Sequence, residues 1–318
     1  MRRRAKVPVA IGLAAAAVSC NGTTGDAIVT FSAYASGAAG AAQPFSIAGY
    51  RLRLTKAQML LGSVYVDQAP LATGAEGPGC INPGVYTAQV PGGIEADLLS
   101  DVPQEFSVFG SGTADIGRSW EIWLTDGDIN GTNQAQLIDL QGIATRLTDG
   151  ALFSFGAIVT INANRLIPVS DPSQPGLNPI CKQRIIQIGG IDLDFFQGGA
   201  LDVTVDPRAW FNQNPDFSTL PPVCDPTFLP ASCVESANCQ LGGATGDAEA
   251  DYGNGESCLA SSDCSNGFVC DTSEGACVAQ YCIPDSNFAT GLGASQGQVL
   301  YSGLRGGGAA AYSIQYTK

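Results

Sequence analysis

The sequence predicts an all-β protein, an antiparallel β-sandwich of jelly-roll-like character with a small disulfide-rich module inserted into it. Two observations carry this. Across 318 residues, short alternating apolar–polar runs recur between Gly/Pro punctuators, and eight of the eleven cysteines crowd into 59 residues, 224–282. Alternation with period two marks half-buried strands, and such a cysteine density marks a disulfide scaffold rather than an apolar core.

The strands follow in order. In 27–35, Val29, Phe31 and Ala33 alternate with Thr30, Ser32 and Tyr34, so one face is apolar. Similar runs occupy 48–55, 64–67, 85–90, 105–114, 118–125, 137–147, 152–161, 185–196 and 201–205, separated by turn formers such as Gly77-Pro78-Gly79 and Asn82-Pro83-Gly84. About ten short strands with little helix point to a sandwich. Helix signals are confined to 206–211, where Asp206 can cap and Pro207 fits the first turn, and to a weaker candidate at 94–100. Beyond the cysteine-rich module, 298–304 and 310–317 alternate again and read as a hairpin returning to the sandwich, because two strands are not stable alone.

The domain reading is a signal peptide at 1–19, a short tether at 20–25, a sandwich at 26–222, the cysteine-rich module at 223–283 and the returning hairpin at 284–318. The leader has a basic start, Arg2, Arg3, Arg4 and Lys6, and an apolar run over 7–18 that is too short to span a bilayer. It ends in Ala17-Val18-Ser19-Cys20, which resembles the lipobox of bacterial lipoproteins, with Ala17 where Leu is usual. The Ala-rich stretch also offers small-x-small sites for ordinary secretory cleavage. The lipobox resemblance implies cleavage before Cys20, acylation of its thiol and attachment to a membrane through the lipid; Asn21 at the next position is compatible with outer-membrane sorting, facing the periplasm or the cell surface. Cysteine parity agrees, since Cys80, Cys181, Cys224, Cys233, Cys239, Cys258, Cys264, Cys270, Cys277 and Cys282 are ten, a number that can pair completely in an exported chain. Eight lie in the module, which leaves Cys80 and Cys181 to pair across the sandwich, while the connectivity of the eight stays open. The segment Cys258-Leu-Ala-Ser-Ser-Asp-Cys264-Ser-Asn-Gly-Phe-Val-Cys270 resembles the small Dickkopf-like Cys-rich repeats of bacterial surface lipoproteins.

Charge and chemistry exclude more than they assign. The formal charge is −14, and loss of the leader leaves eleven Lys+Arg against 29 Asp+Glu, or −18. A polyanion such as nucleic acid is therefore not an expected partner. The absence of histidine removes the commonest general base and metal ligand. Gly293-Ala294-Ser295-Gln296-Gly297 spells a nucleophile elbow, but no histidine exists to take the serine proton. Asp192 and Asp194 share one strand face at a spacing near that of glycosidase carboxylates, and a solvated polar face explains the same pattern. Asp126-Gly127-Asp128-Ile129-Asn130-Gly131 matches the first half of a calcium loop, with Asp126, Asp128 and Asn130 as ligands, but Leu137 stands where the closing acid belongs. Trp123 falls on the strand face of Ser119, Glu121 and Thr125, opposite Trp120, Ile122 and Leu124, so it is either a stacking platform for a sugar or partner, or packed under a loop. The functional expectation is a non-enzymatic, membrane-anchored envelope lipoprotein that binds a protein or glycan. The alternatives are a calcium-dependent carbohydrate-binding or glycoside-active protein, and a periplasmic assembly partner.

Overall fold

A computed structural model describes residues 27–69, 80–81, 86–124, 135–161, 180–181, 185–212, 215–220, 268–271, 276–283, 299–301, 303–304 and 308–318. Its strands are β1 (Ile28–Gly37), β2 (Phe45–Ile47), β3 (Tyr50–Leu61), β4 (Val64–Asp67), β5 (Cys80–Ile81), β6 (Tyr86–Val90), β7 (Ile94–Asp97), β8 (Gln104–Glu105), β9 (Gly110–Thr113), β10 (Ile116–Trp123), β11 (Ala135–Arg146), β12 (Leu152–Ile161), β13 (Ile180–Cys181), β14 (Ile185–Asp194), β15 (Ala200–Val205), β16 (Phe268–Asp271), β17 (Ala276–Ile283) and β18 (Tyr312–Thr317).

The strands form an all-β sandwich. One sheet runs β14-β10-β4-β6-β9-β1-β15-β18 with β8 beside β1, and the other runs β16-β17-β12-β11-β3-β2 with β7 beside β3. Pairing is antiparallel except between β1 and β15 and between β12 and β17. Alternation in β1 puts Val29, Phe31, Ala33 and Ala35 into the core between the sheets, where Phe31 meets Phe195 and Tyr316 at centroid distances of 5.4 Å. The pattern of β3 changes phase midway: Tyr50, Leu52 and Leu54 are buried, then Ala57, Met59 and Leu61. The cause is a bulge, since Leu54 pairs with Gly142 and Lys56 with Gln141, leaving Thr55 as the extra residue. The β11–β12 hairpin turns at Gly150, which adopts φ 77°, and Asp149 braces the turn by accepting from the Arg146 guanidinium and the Ala151 N–H.

Three local expectations are corrected or refined. Residues 94–97 form β7 rather than a helix, because Ala96 and Leu98 alternate into the core with Ile94 packed against it. The single turn expected after β15 is present as a 3-10 turn, Pro207–Phe211, capped by Asp206, which accepts from Arg208 N–H at 3.0 Å. The returning C-terminal hairpin has only its second strand. Residues 299–301 and 303–304 are helical, because Leu300 and Leu304, four apart, both face the core, and Gly303 lets the backbone pass Trp210 O where a Cβ would come within 1.8 Å. A short helix, Gly308–Ala311, then leads into β18, which pairs with β15 over six residues.

The described part of the cysteine-rich segment is the β16–β17 hairpin. β17 lies parallel to β12, with Ser154 to Ala157 opposite Gln280 to Ile283, and Ile283 is buried in the common core. The second sheet therefore extends into the segment.

Candidate functional site

Among the described residues, four of the six buried polar side chains, Asp67, Thr87, Ser119 and Glu121, lie on β4, β6 and β10 of the first sheet. β10 is buried on both sides. Trp120 and Ile122 point inward at 0% exposure, while Ser119, Glu121 and Trp123 point outward at 1%, 1% and 3%. On β4, Asp67 stands opposite Ser119 and Tyr65 opposite Glu121, so these side chains share the outer face. On β6 the register shifts: Val66 pairs with Ala88 and Asp67 with Tyr86, which leaves Thr87 unpaired as a bulge residue. Tyr86 stacks on Tyr65 at 4.4 Å, fixing its ring outward. Ala88 points into the core, so Thr87, its neighbour in the strand, also turns outward. The bulge thus sets Tyr86 opposite Asp67 in the backbone register, with Thr87 as the extra residue.

The electrostatics follow from burial. Asp67 is 6% exposed, and among the described residues its Oδ1 has no hydrogen-bond partner; Tyr86 OH and Thr87 Oγ1 have none there either. Burial first, and then the negative charge of Glu121, push the Asp67 carboxyl up to about 7, against a smaller opposing pull from the Ser119 hydroxyl. The Tyr86 phenol is raised by burial, then by Glu121, Asp67 and Tyr65. Trp123 Nε1 donates to Glu121 Oε2 at 3.3 Å, and Ser119 Oγ donates to Ala69 O at 2.8 Å.

A second feature is a shallow polar cleft of about 240 Å³ on the second sheet, between Gln58, Glu95, Gln136 and Asp139. Its Asp139 is held by Lys56 Nζ at 2.6 Å.

The residues singled out from the sequence fare unevenly. Trp123 is not a surface platform: it is 3% exposed, tilted against Tyr65 at 5.0 Å and bonded to Glu121, because both faces of its strand are covered. Asp192 and Asp194 are exposed, and Asp192 forms an ion pair with Arg118, which is the solvated-face reading. Asp126, Asp128 and Asn130 lie outside the described residues, as do Cys20, Ser295, Cys224, Cys233, Cys239, Cys258 and Cys264. The backbone register sets Cys80 directly opposite Cys181 in the β5–β13 pair and Cys270 opposite Cys277 in the β16–β17 pair; Cys282 lies on β17.

Asp67, Glu121, Tyr86 and Thr87 were not among the sequence candidates. One signal pointed to Glu121. The run Trp120-Glu121-Ile122-Trp123-Leu124 is apolar except for Glu121, and a strand that is apolar at successive positions is one buried on both faces, where a carboxylate needs a reason.

Comparison with known proteins finds no matching family model, no matching curated protein and no matching solved structure.

Proposed function

We propose that this chain is a non-enzymatic lipoprotein of a bacterial envelope, held to the membrane by acyl chains on Cys20, whose β-sandwich serves as a binding or interaction body. The observation that carries the reading is Cys20 itself, placed after a basic start and an apolar run of signal-peptide length, with ten further cysteines left to pair. The position of β1 supports it. β1 begins at Ile28, so seven residues separate it from Cys20, and it lies inside its sheet between β9 and β15. An anchor attached there loads a strand paired on both sides, which resists peeling better than an edge strand. The burial of Trp123 takes away the aromatic platform on which the glycan reading rested.

Detergent phase separation of the protein expressed in a bacterial host tests the anchor. The wild type should enter the detergent phase, and Cys20→Ala should remain in the aqueous phase. If the variant partitions like the wild type, the anchor is wrong. Protease treatment of intact cells, with a known periplasmic protein as control, then separates the two ways the body can face: digestion with the control spared places it outside, and protection places its partner in the periplasm.

A further inference from the structure

The eight cysteines of 224–282 can pair in many ways by sequence, but the backbone register restricts the choice. β16 and β17 are antiparallel in continuous register, and Cys270 stands directly opposite Cys277, flanked by the Val269–Val278 and Asp271–Ala276 pairs. Directly opposed residues of an antiparallel pair have Cα atoms about 4.5 or 5.5 Å apart, depending on whether they exchange hydrogen bonds. Both spacings fall inside the range of about 4.4–6.8 Å that a disulfide bridges, and opposed residues share one face of the sheet. Cys282 is no rival partner for either. It lies five residues beyond Cys277 on the same strand, about 17 Å away at the rise of a strand, and the odd separation sets it on the other face. Cys80 and Cys181 oppose each other in a separate two-stranded sheet.

We propose that Cys270 and Cys277 form a disulfide, a covalent rung across the hairpin at the free edge of the second sheet. The inference rests on the export part of the proposed function, because thiols stay reduced in the cytosol. The oxidant is a disulfide of the envelope, carried by a protein or by glutathione. One cysteine thiolate attacks it and displaces one of its sulfurs, and the second cysteine then attacks the mixed disulfide and displaces the other. Two electrons and two protons pass from the cysteine pair to the oxidant, which ends as two thiols. The rung acts where backbone pairing is weakest: among the described strands β16 ends the sheet, and only four residue pairs hold it to β17. A two-stranded hairpin is marginal by itself. The pair also narrows what remains. Complete pairing leaves Cys282, on the strand docked against β12, to take its partner from Cys224, Cys233, Cys239, Cys258 and Cys264, which ties the rest of the segment to the sandwich by a second bond.

Peptide mapping of the unreduced full-length protein provides the test. With free thiols blocked by N-ethylmaleimide, glutamyl endopeptidase cuts after Glu274 and chymotrypsin after Phe268 and Tyr281, giving fragments 269–274 and 275–281 with one cysteine each. The expected product is these two fragments joined, lighter than their sum by two hydrogens and separated by a reductant. Two samples are mapped: protein recovered from a bacterial envelope, and the same protein reduced without denaturant and reoxidised with glutathione disulfide. Joined fragments in the envelope sample support the pairing. Free thiols at both positions there, with the link formed on reoxidation, count against the export reading and not against the pairing. No link in either sample, or Cys270 joined to another cysteine in the envelope protein, overturns it. In denatured, unreduced protein, Cys270→Ser and Cys277→Ser should each show one thiol more than wild type and the double variant no more than wild type; a single variant without the extra thiol overturns the pairing as well.

Discussion

Replacing Asp67 with Asn should stabilise the protein at pH 8. The carboxyl is 6% exposed, Oδ1 is unpartnered, and among the described residues the groups that face it are Glu121 and Ser119 on β10, Tyr65 on its own strand and Tyr86 on β6. None of these brings a positive charge. A rise from 3.8 to about 7 corresponds, at about 1.36 kcal/mol per pH unit, to a ceiling of about 4 kcal/mol of destabilisation once the group ionises. Solvent screening and relaxation reduce this to about 1–2 kcal/mol. The sign follows from proton counting. The folded state holds its proton more tightly than the unfolded chain, so the stabilising contribution is complete below pH 3.8 and is lost as pH rises through about 7. Urea midpoints of the wild type should therefore fall between pH 5 and pH 8, and those of Asp67→Asn should fall less. Parallel midpoints for the two proteins across that range, or a variant less stable than wild type at pH 8, would refute the reasoning.

Other perturbations test the packing. Gly37→Ala puts a Cβ 1.9 Å from Leu98 O, a backbone atom that cannot swing away, and should cost about 1–3 kcal/mol or more, read as a fall of several degrees in Tm. Tyr312→Phe removes the donor to Leu304 O, a buried bond of 2.8 Å, and should cost about 1–3 kcal/mol in urea unfolding by leaving the carbonyl unpaired. If Cys80 and Cys181 are joined, thiol titration of the unreduced, denatured protein should show one new thiol in either single Ser variant and none in the double; the double should be no less stable than the singles, each about 2–4 kcal/mol below wild type.

What the sequence revealed depended on where each strand's outer face turned. β1 was legible because its alternation is clean and one face is plainly apolar. β3 was legible only in its first half, since the bulge at Thr55 reverses which residues point inward and a single-period reading stops there. The 298–304 segment reads as a strand from a short apolar run, Val299-Leu300-Tyr301, set between Gln298 and Ser302; the structure instead buries Leu300 and Leu304, four apart, and sets Gly303 against Trp210, almost a hundred residues away. Trp123 stayed open between a platform and a packed ring, because periodicity separates two faces of a strand but does not say whether the second face is covered; the structure gives the packed ring. The carboxylate site needed a further step, the shift at Thr87 that brings Asp67 and Tyr86 into one register, and bulges carry no reliable sequence mark.

The connectivity also gives the cysteine-rich segment a mechanical place. β15 lies between β1 and β18, the first and last described strands, so the chain leaves the first sheet after Val205 and returns to the same strand at Tyr312. Midway, β17 attaches to β12 in the opposite sheet. The intervening chain is thus fixed at three points on two sheets rather than hanging from one linker. Under the proposed anchor, a pull on Cys20 reaches β1, passes through its parallel pairing with β15 from Ser32–Ala200 to Gly37–Val205, and is shared with β18 on the other side. Rupture along that path requires shearing several backbone hydrogen bonds together, whereas an edge strand would yield them one at a time. The order of strands around β15 therefore suits a body tethered at its N-terminus, and it ties the stability of the tethered end to the C-terminal strand, so that loss of β18 should weaken the very strand on which the anchor pulls.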